Sequence, residues 1–239
     1  MNNTTTKGQY VKNIFSKLAP KYDFINNIMS WGFVYYWRKK LIEIADLSNK
    51  SKIIDLCTGT GRVTKLLARE VPDAKIIGVD FCPEMIKKAR NDLEEKDFSQ
   101  IDFRIGNIMD LDLSSNSFDC ALVAFGLRNV DNIDQSIQEM KRIVKPGGEI
   151  YCLELAKPRR PVFKEMYYVY FNNVLPFIGK TLYGKKDPYL YLTESLRQFL
   201  NQEELRQKFI DLGLKNVRYY ELTGGITAVH RGDITDERE

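Results

Sequence analysis

The residues KIIDLCTGTGRVTKLL (52–67) constrain the fold more than any other stretch. An apolar run, Ile53-Ile54-Asp55-Leu56, passes into Cys57-Thr58-Gly59-Thr60-Gly61, and helical spacing begins at Val63. Strand, glycine turn and helix in this order open the nucleotide-binding end of α/β sheets. The alternation then repeats. Periodicity predicts strands at 53–57, 75–80, 101–106, 118–125 and 149–155, and helices at 63–71, from Pro83 to about residue 96, and at 133–144. Pro83 suits a first helical turn, where its missing N–H has no partner to lose. Pro146-Gly147-Gly148 closes the last of these helices. Such alternation implies right-handed crossovers and a parallel sheet. A helix at 202–212 and strands at 217–222 and 226–230 complete an α/β fold of seven mostly parallel strands, with helices on both faces.

Two or three aromatic-rich helices are expected over 9–47, broken near Pro20 and Gly32. Residues 1–47 therefore read as an N-terminal helical cap. Residues 48–239 read as the main domain, carrying an aromatic insertion at 161–198. A net charge of +4, from 36 basic and 32 acidic residues, is too balanced to argue for a nucleic-acid partner. Four scattered cysteines and a single histidine predict no metal site and suit a reducing, cytoplasmic setting. No apolar run is long enough to span a membrane.

The glycine loop is not a dinucleotide fingerprint, because the third glycine position is Thr64, and no Walker A pattern exists. Asp55, near the end of the first strand, would repel a pyrophosphate but suits a ligand carrying ammonium and sulfonium charges. S-adenosylmethionine is such a ligand. Gly59 and Gly61 permit close backbone approach. Asp80, ending the second strand, suits ribose hydroxyls, and Asn107, after the third, suits an adenine edge. The position after the fourth strand reads AFGLRNVDN (124–132), with no Pro-Pro motif of base-methylating enzymes.

At this point the chain resembles the UbiE/MenG family of C-methyltransferases of ubiquinone and menaquinone biosynthesis. The likeness spans VKNIFSKLAPKYDFINNIMSWG (11–32), FGLRNV (125–130), CLELAKP (152–158), YLYLTESLRQFLNQEEL (189–205) and LTGGITAVHRG (222–232). It implies a Rossmann-like class I methyltransferase fold, S-adenosylmethionine as cofactor, and methylation of demethylmenaquinol or a related prenylated hydroquinone on ring carbon. It carries cofactor contacts over to Thr64, Asp80, Asn107 and Ile108, beside Asp55, Gly59 and Gly61. Where family members have a His-Arg pair before a tryptophan, this chain has Gly32-Phe33-Val34-Tyr35-Tyr36-Trp37. Ala124 replaces a serine of ubiquinone-pathway members, which leans toward the menaquinone branch. A methyltransferase for another small molecule or RNA, or a non-catalytic sensor, remains an alternative, since fold does not fix substrate.

For the chemistry, Arg128 is expected to stabilise a ring oxyanion, with Asn129 and Tyr22 orienting hydroxyls or water. Glu154 and His230 are the remaining base candidates. The stretch FKEMYYVYFNNVLPFIGKTLYGKK (163–186) offers Tyr167, Tyr168, Tyr170, Phe171, Phe177 and Tyr183 as a wall for a prenyl tail. Lys180, Lys185 and Lys186 favour peripheral contact with an anionic membrane. A homodimer is an open option.

Overall fold

Alternating side chains sort the strands' apolar residues onto two faces of one sheet. The computed structural model describes residues 7–93, 98–159, 161–174 and 187–235. The strands are β1 (Lys52–Leu56), β2 (Lys75–Asp80), β3 (Ile101–Ile105), β4 (Phe118–Ala124), β5 (Val144–Leu155), β6 (Lys215–Leu222) and β7 (Thr227–Asp233). They form a seven-stranded sheet in the order β3-β2-β1-β4-β5-β7-β6. β7 alone runs antiparallel to its neighbours. The order reverses between β1 and β4, so a crevice opens at their carboxyl ends, where α/β sheets take ligands.

One face carries Ile54, Leu56, Val79 and Val123 against α6 (Ile133–Ile143) and α9 (Gln202–Asp211). The opposite face carries Ile53, Ile76, Leu122 and Leu153 against α3 (Phe33–Ala45) and α4 (Arg62–Glu70). Each such side chain contributes about 1.5–3 kcal/mol on burial. α3 places Trp37, Leu41 and Ile42 in the second core, so it packs on the sheet, whereas Phe15, Ala19 and Tyr22 pack against Cys82 and Met85 just after β2. The N-terminal helices begin with α1 (Lys7–Leu18), a 3-10 turn at Ala19–Lys21 containing Pro20, and α2 (Tyr22–Met29). Gly32, at φ 79, opens α3.

Two boundaries differ from the sequence expectation. α5 (Pro83–Asn91) stops short of residue 96, because Asn91 and Asp92 bring side chains that compete with helical hydrogen bonds. β5 begins at Val144, not at Glu149. Val144 pairs with Phe118 and Glu149 with Cys120, so Pro146-Gly147-Gly148 loops out within the strand rather than preceding it. Beyond β5, α7 (Pro161–Val169) runs into a π turn (Tyr170–Val174), and α8 (Asp187–Gln198) precedes α9. α9 opens with a capping box between Asn201 and Glu204. No described helix is long and apolar enough to cross a membrane.

A buried ion pair ties the loop after β4 to β5. The Arg128 Nη1 donates to Glu154 Oε1, and both side chains are almost fully buried. The backbone N–H groups of Leu155 and Arg128 also donate to the Glu154 carboxylate, at 2.9 and 3.3 Å. Burial opposes the charge on Arg128, but Glu154 outweighs it and raises the guanidinium above its ordinary value. Replacing Glu154 by Gln leaves that charge without its counter-ion. We expect a loss of about 3–5 kcal/mol in denaturant unfolding. A loss under about 1 kcal/mol, the scale of an exposed pair, would contradict this account of the loop.

Candidate active site

The carboxyl ends of β1, β2 and β4 surround a cavity of about 100 Å³. Gly59, Asp80, Phe81, Asn107, Ile108 and Asn129 are among the residues lining it. Asp80 ends β2 with both oxygens engaged: Oδ2 accepts from the Gly59 N–H at 2.9 Å, Oδ1 from the Cys82 N–H at 2.9 Å. These bonds fix the carboxylate at the cavity wall while leaving lone pairs free, since a carboxylate offers about four acceptor sites. Gly59 sits at φ 57, and a Cβ there would meet nothing nearer than the Tyr22 ring at 3.9 Å. A side chain would therefore stand in the cavity. Asn107 turns its Oδ1 onto the Met109 N–H at 3.1 Å.

Asp55, Gly61 and Thr64 do not line this cavity; they brace its loop from behind. The Asp55 Oδ2 accepts from the Thr58 and Thr64 hydroxyls at 2.7 and 2.6 Å. Gly61 starts α4 at φ 74, and a Cβ there would lie 2.5 Å from the Phe103 ring. Burial pushes the Asp55 carboxyl up to about 6 against the two threonine bonds. Burial likewise pushes Asp80 up to about 6, opposed by the Cys82 and Gly59 N–H groups and helped by the Asp55 charge. Of the two buried carboxyls only Asp80 lines the cavity, where a nearby positive charge would favour its ionised form.

A second cavity, about 490 Å³, opens beside the first. Trp31, Phe33, Trp37, Tyr167 and Tyr170 give it a largely aromatic wall. Its lining includes two charged residues, Arg38 and Arg128, and no carboxylate or histidine among the described residues. Tyr22 and Phe125 line both cavities, so the two meet there. Phe125 holds a left-handed φ of 57. Its carbonyl accepts from Arg128 Nη1 at 2.8 Å and from Asn129 Nδ2 at 3.2 Å. Such a conformation is uncommon outside glycine, and these bonds from two neighbouring side chains hold it.

The structure brings Tyr22, Arg128 and Asn129 to this junction but assigns them different surroundings. Asn129 faces the smaller cavity, and its Oδ1 accepts from the Tyr191 hydroxyl at 2.9 Å. Arg128 faces the larger one with its charge balanced by Glu154. Glu154 and His230 line neither cavity. His230 is buried beside Phe209 and Tyr219, with Nε2 2.7 Å from the Gln202 carbonyl oxygen. Burial pulls it down to about 4, so it stays neutral near pH 7. At the other end, the Lys7 ammonium donates to the Val130 carbonyl at 2.6 Å, which fastens the start of α1 beside the smaller cavity.

Phe163, Tyr167 and Tyr170 of the aromatic segment line the larger cavity, and Tyr168 is 49% exposed. Phe177, Tyr183, Lys180, Lys185 and Lys186 lie outside the described residues, as does the side chain of Phe171. Trp31, Phe33 and Arg38 are among the lining residues that motif reading missed. For Arg38 the signal was present: α3 buries Val34, Trp37, Leu41, Ile42 and Ala45, and position 38 falls on that same stripe.

Residues 3–233 match the model of the ubiE/COQ5 methyltransferase family. A demethylmenaquinone methyltransferase of Desulfitobacterium hafniense is 40% identical over 95% of this chain and 90% of its own length. One of Bacillus subtilis is 36% identical over 95% and 98%. Among solved structures, a SAM-dependent methyltransferase of Aquifex aeolicus superposes with a TM-score of 0.65 at 17% identity, covering 89% of this chain and 98% of its own. A possible histamine N-methyltransferase of Thermotoga maritima gives 0.63 at 20% identity, over 92% and 98%. These two carry the fold, with its Rossmann-like sheet. With the family model spanning nearly every residue, the chain belongs to the ubiE/COQ5 methyltransferase family.

Proposed function

We propose that the protein methylates a ring carbon of a prenylated hydroquinone of the demethylmenaquinol type, with S-adenosylmethionine as methyl donor. The observation that carries this reading is the meeting of a small cavity walled by Asp80 and Asn107 with a large aromatic one at Tyr22 and Phe125. The names of the relatives from Desulfitobacterium hafniense and Bacillus subtilis support it.

The residues at the smaller cavity suit the chemistry of the donor. A Cβ would fill the space over Gly59, and the buried Asp80 carboxyl stands in the wall for a positive charge. Asp80 would accept from ribose hydroxyls, with Asn107 and Ile108 against the adenine. Asp55, Gly61 and Thr64 would keep the loop in shape. When bound, S-adenosylmethionine supplies a methyl group made electrophilic by its sulfonium. The chain's own residues do the rest by orientation. Tyr22 and Asn129 set the acceptor hydroxyls at the junction, and Arg128 fixes the Phe125 carbonyl beneath them. Holding two reactants in line contributes about 7–11 kcal/mol when the geometry is right. A sensor or an enzyme for another acceptor would bind the same donor. Labelled methyl donor incubated with a panel of reduced quinones separates these readings. Label in a demethylmenaquinol supports the proposal, and label in none of the panel contradicts it.

A prenyl tail needs an apolar path to the surface. Trp31 is 73% exposed and Phe33 46% exposed at the edge of the larger cavity, with Phe24, Tyr35 and Tyr36 also exposed nearby in sequence. Aromatic rings of this kind suit the boundary between lipid and water. We infer that this rim touches the membrane that holds the substrate. The double variant Trp31→Ser, Phe33→Ser is expected to lose rate with long-tailed quinols but not with a tail-less one, and to sediment less with anionic vesicles. Equal losses for both tails would count against the rim.

The carboxyls predict a pH dependence. Their folded-state values, near 6, exceed the ordinary 3.8, so protonation favours the folded, ligand-free protein. That contribution is complete below about pH 4 and is lost as pH rises through 6, roughly 3 kcal/mol for either carboxyl alone. A cationic ligand reverses the preference. S-adenosylmethionine should therefore bind more tightly at pH 7 than at pH 5, releasing protons, as calorimetry in two buffers of different ionisation heat would report. Asp80→Ala should weaken binding by about 1.5–3 kcal/mol. Affinity that is flat in pH and untouched by this substitution would remove Asp80 from the donor site.

A further inference from the structure

We infer that Arg38, not Arg128, is the cation that receives the ionised ring oxygen of the acceptor in the larger cavity. This rests on the reading of that cavity as an acceptor site.

The two guanidinium groups lining the cavity differ in one decisive respect. Arg128 already has a counter-ion: Nη1 bonds Glu154 and the Phe125 carbonyl, while Nε is buried without a partner. A developing negative charge beside it would compete with the Glu154 carboxylate. Arg38 has no hydrogen bond and no ion pair among the described residues. It sits one position after Trp37, on the stripe by which α3 faces the sheet, and its side chain lines the cavity. This half-buried charge keeps five donors unused and has no counter-ion bonded to it. Structural duty therefore does not explain it, because a leucine or methionine would pack the same stripe without desolvating a charge.

The surroundings define what it can take. Tyr22 and Asp23 of α2, Arg62 of α4 and Asp55 of β1 act on it electrostatically. Asp23 is engaged elsewhere, accepting from the Thr60 hydroxyl at 2.8 Å and pairing with Arg62 at 2.9 Å. Asp55 is held by Thr58 and Thr64. Neither carboxylate lines the cavity. Burial pulls the Arg38 guanidinium below its ordinary value, as expected for a cation short of negative partners, yet a guanidinium stays charged at any working pH. The ligand class that completes this set is flat, aromatic and monoanionic at one oxygen. A hydroquinone that has given one hydroxyl proton to water meets that description. Tyr22 lines both cavities and acts on Arg38, which puts the cation on the acceptor side of the junction. The cavity lining offers no carboxylate or histidine among the described residues to take the proton. Stabilising the anion replaces the need for one.

The test uses 1-naphthol, a tail-less probe whose ultraviolet absorption moves to longer wavelength on ionisation. Bound to the wild-type protein, it should ionise about 1–3 pH units lower than in water, the range for an opposite charge at close contact. In Arg38→Gln and Arg38→Met that displacement should vanish, while S-adenosylmethionine affinity is unchanged. Arg38→Lys should keep part of it. With a reduced demethylmenaquinone, Arg38→Gln should lower kcat/KM at pH 7 by about ten- to a thousandfold and regain rate as pH rises, a recovery that mere misfolding does not give. Unshifted naphthol ionisation in the wild-type protein overturns the assignment without any variant, and leaves quinol methylation standing if the wild type turns over. An Arg38-dependent shift in a protein that methylates no quinol supports the oxyanion site and sinks the substrate reading. A shift that persists in both neutral variants but disappears in Arg128→Met also overturns it.

Discussion

The buried pair of Arg128 and Glu154 is the contact on which the site depends. Glu154 belongs to β5 and Arg128 to the loop after β4, so the pair locks two adjacent strand ends together. Through the same guanidinium it fixes the carbonyl of Phe125, whose left-handed backbone needs an external hold. Phe125 is one of two residues shared by the cavities, and the other, Tyr22, stands on α2. A pair whose attraction must offset a large desolvation penalty is a poor source of stability. Its value here is geometric. FGLRN and CLEL each supply one half of the pair.

Charge is divided between the cavities in a way that matches two different guests. Carboxyls cluster at the smaller cavity, where Asp80 stands in the wall and Asp55 behind the loop. Cations stand in the larger one. A positively charged donor and an acceptor that becomes negative are thus each met by the opposite sign, and the two are drawn toward the junction from both sides. The single histidine lies apart from this arrangement and stays neutral in the core.

Much of the fold was legible from periodicity. IIDL, KIIGVD and FDCALVA alternate or run apolar in ways that only a covered parallel sheet explains, and all three are strands beside one another. The β5 start was not legible, since Pro146-Gly147-Gly148 reads as a turn and is one, yet Val144 before it still pairs with Phe118. Within the site, strand-end residues Asp80 and Asn107 were readable from position alone. The inward role of Asp55 was not, because a carboxylate at a strand end looks the same whether it faces a ligand or two threonines three and nine residues on. Arg38 was passed over because motif reading asks which residues match a pattern. The physical question is which charge lacks a partner, and that needs the neighbours in three dimensions.

The account's central claim is that the cavities join a methyl donor to a ring carbon at Tyr22 and Phe125. Carbon-13 NMR of the product formed from methyl-labelled S-adenosylmethionine and a reduced demethylmenaquinone tests it most directly. The account predicts one new resonance in the region of an aryl carbon-bound methyl, from a ring position next to a hydroxyl-bearing carbon. A methoxy resonance, from transfer to oxygen, would contradict it.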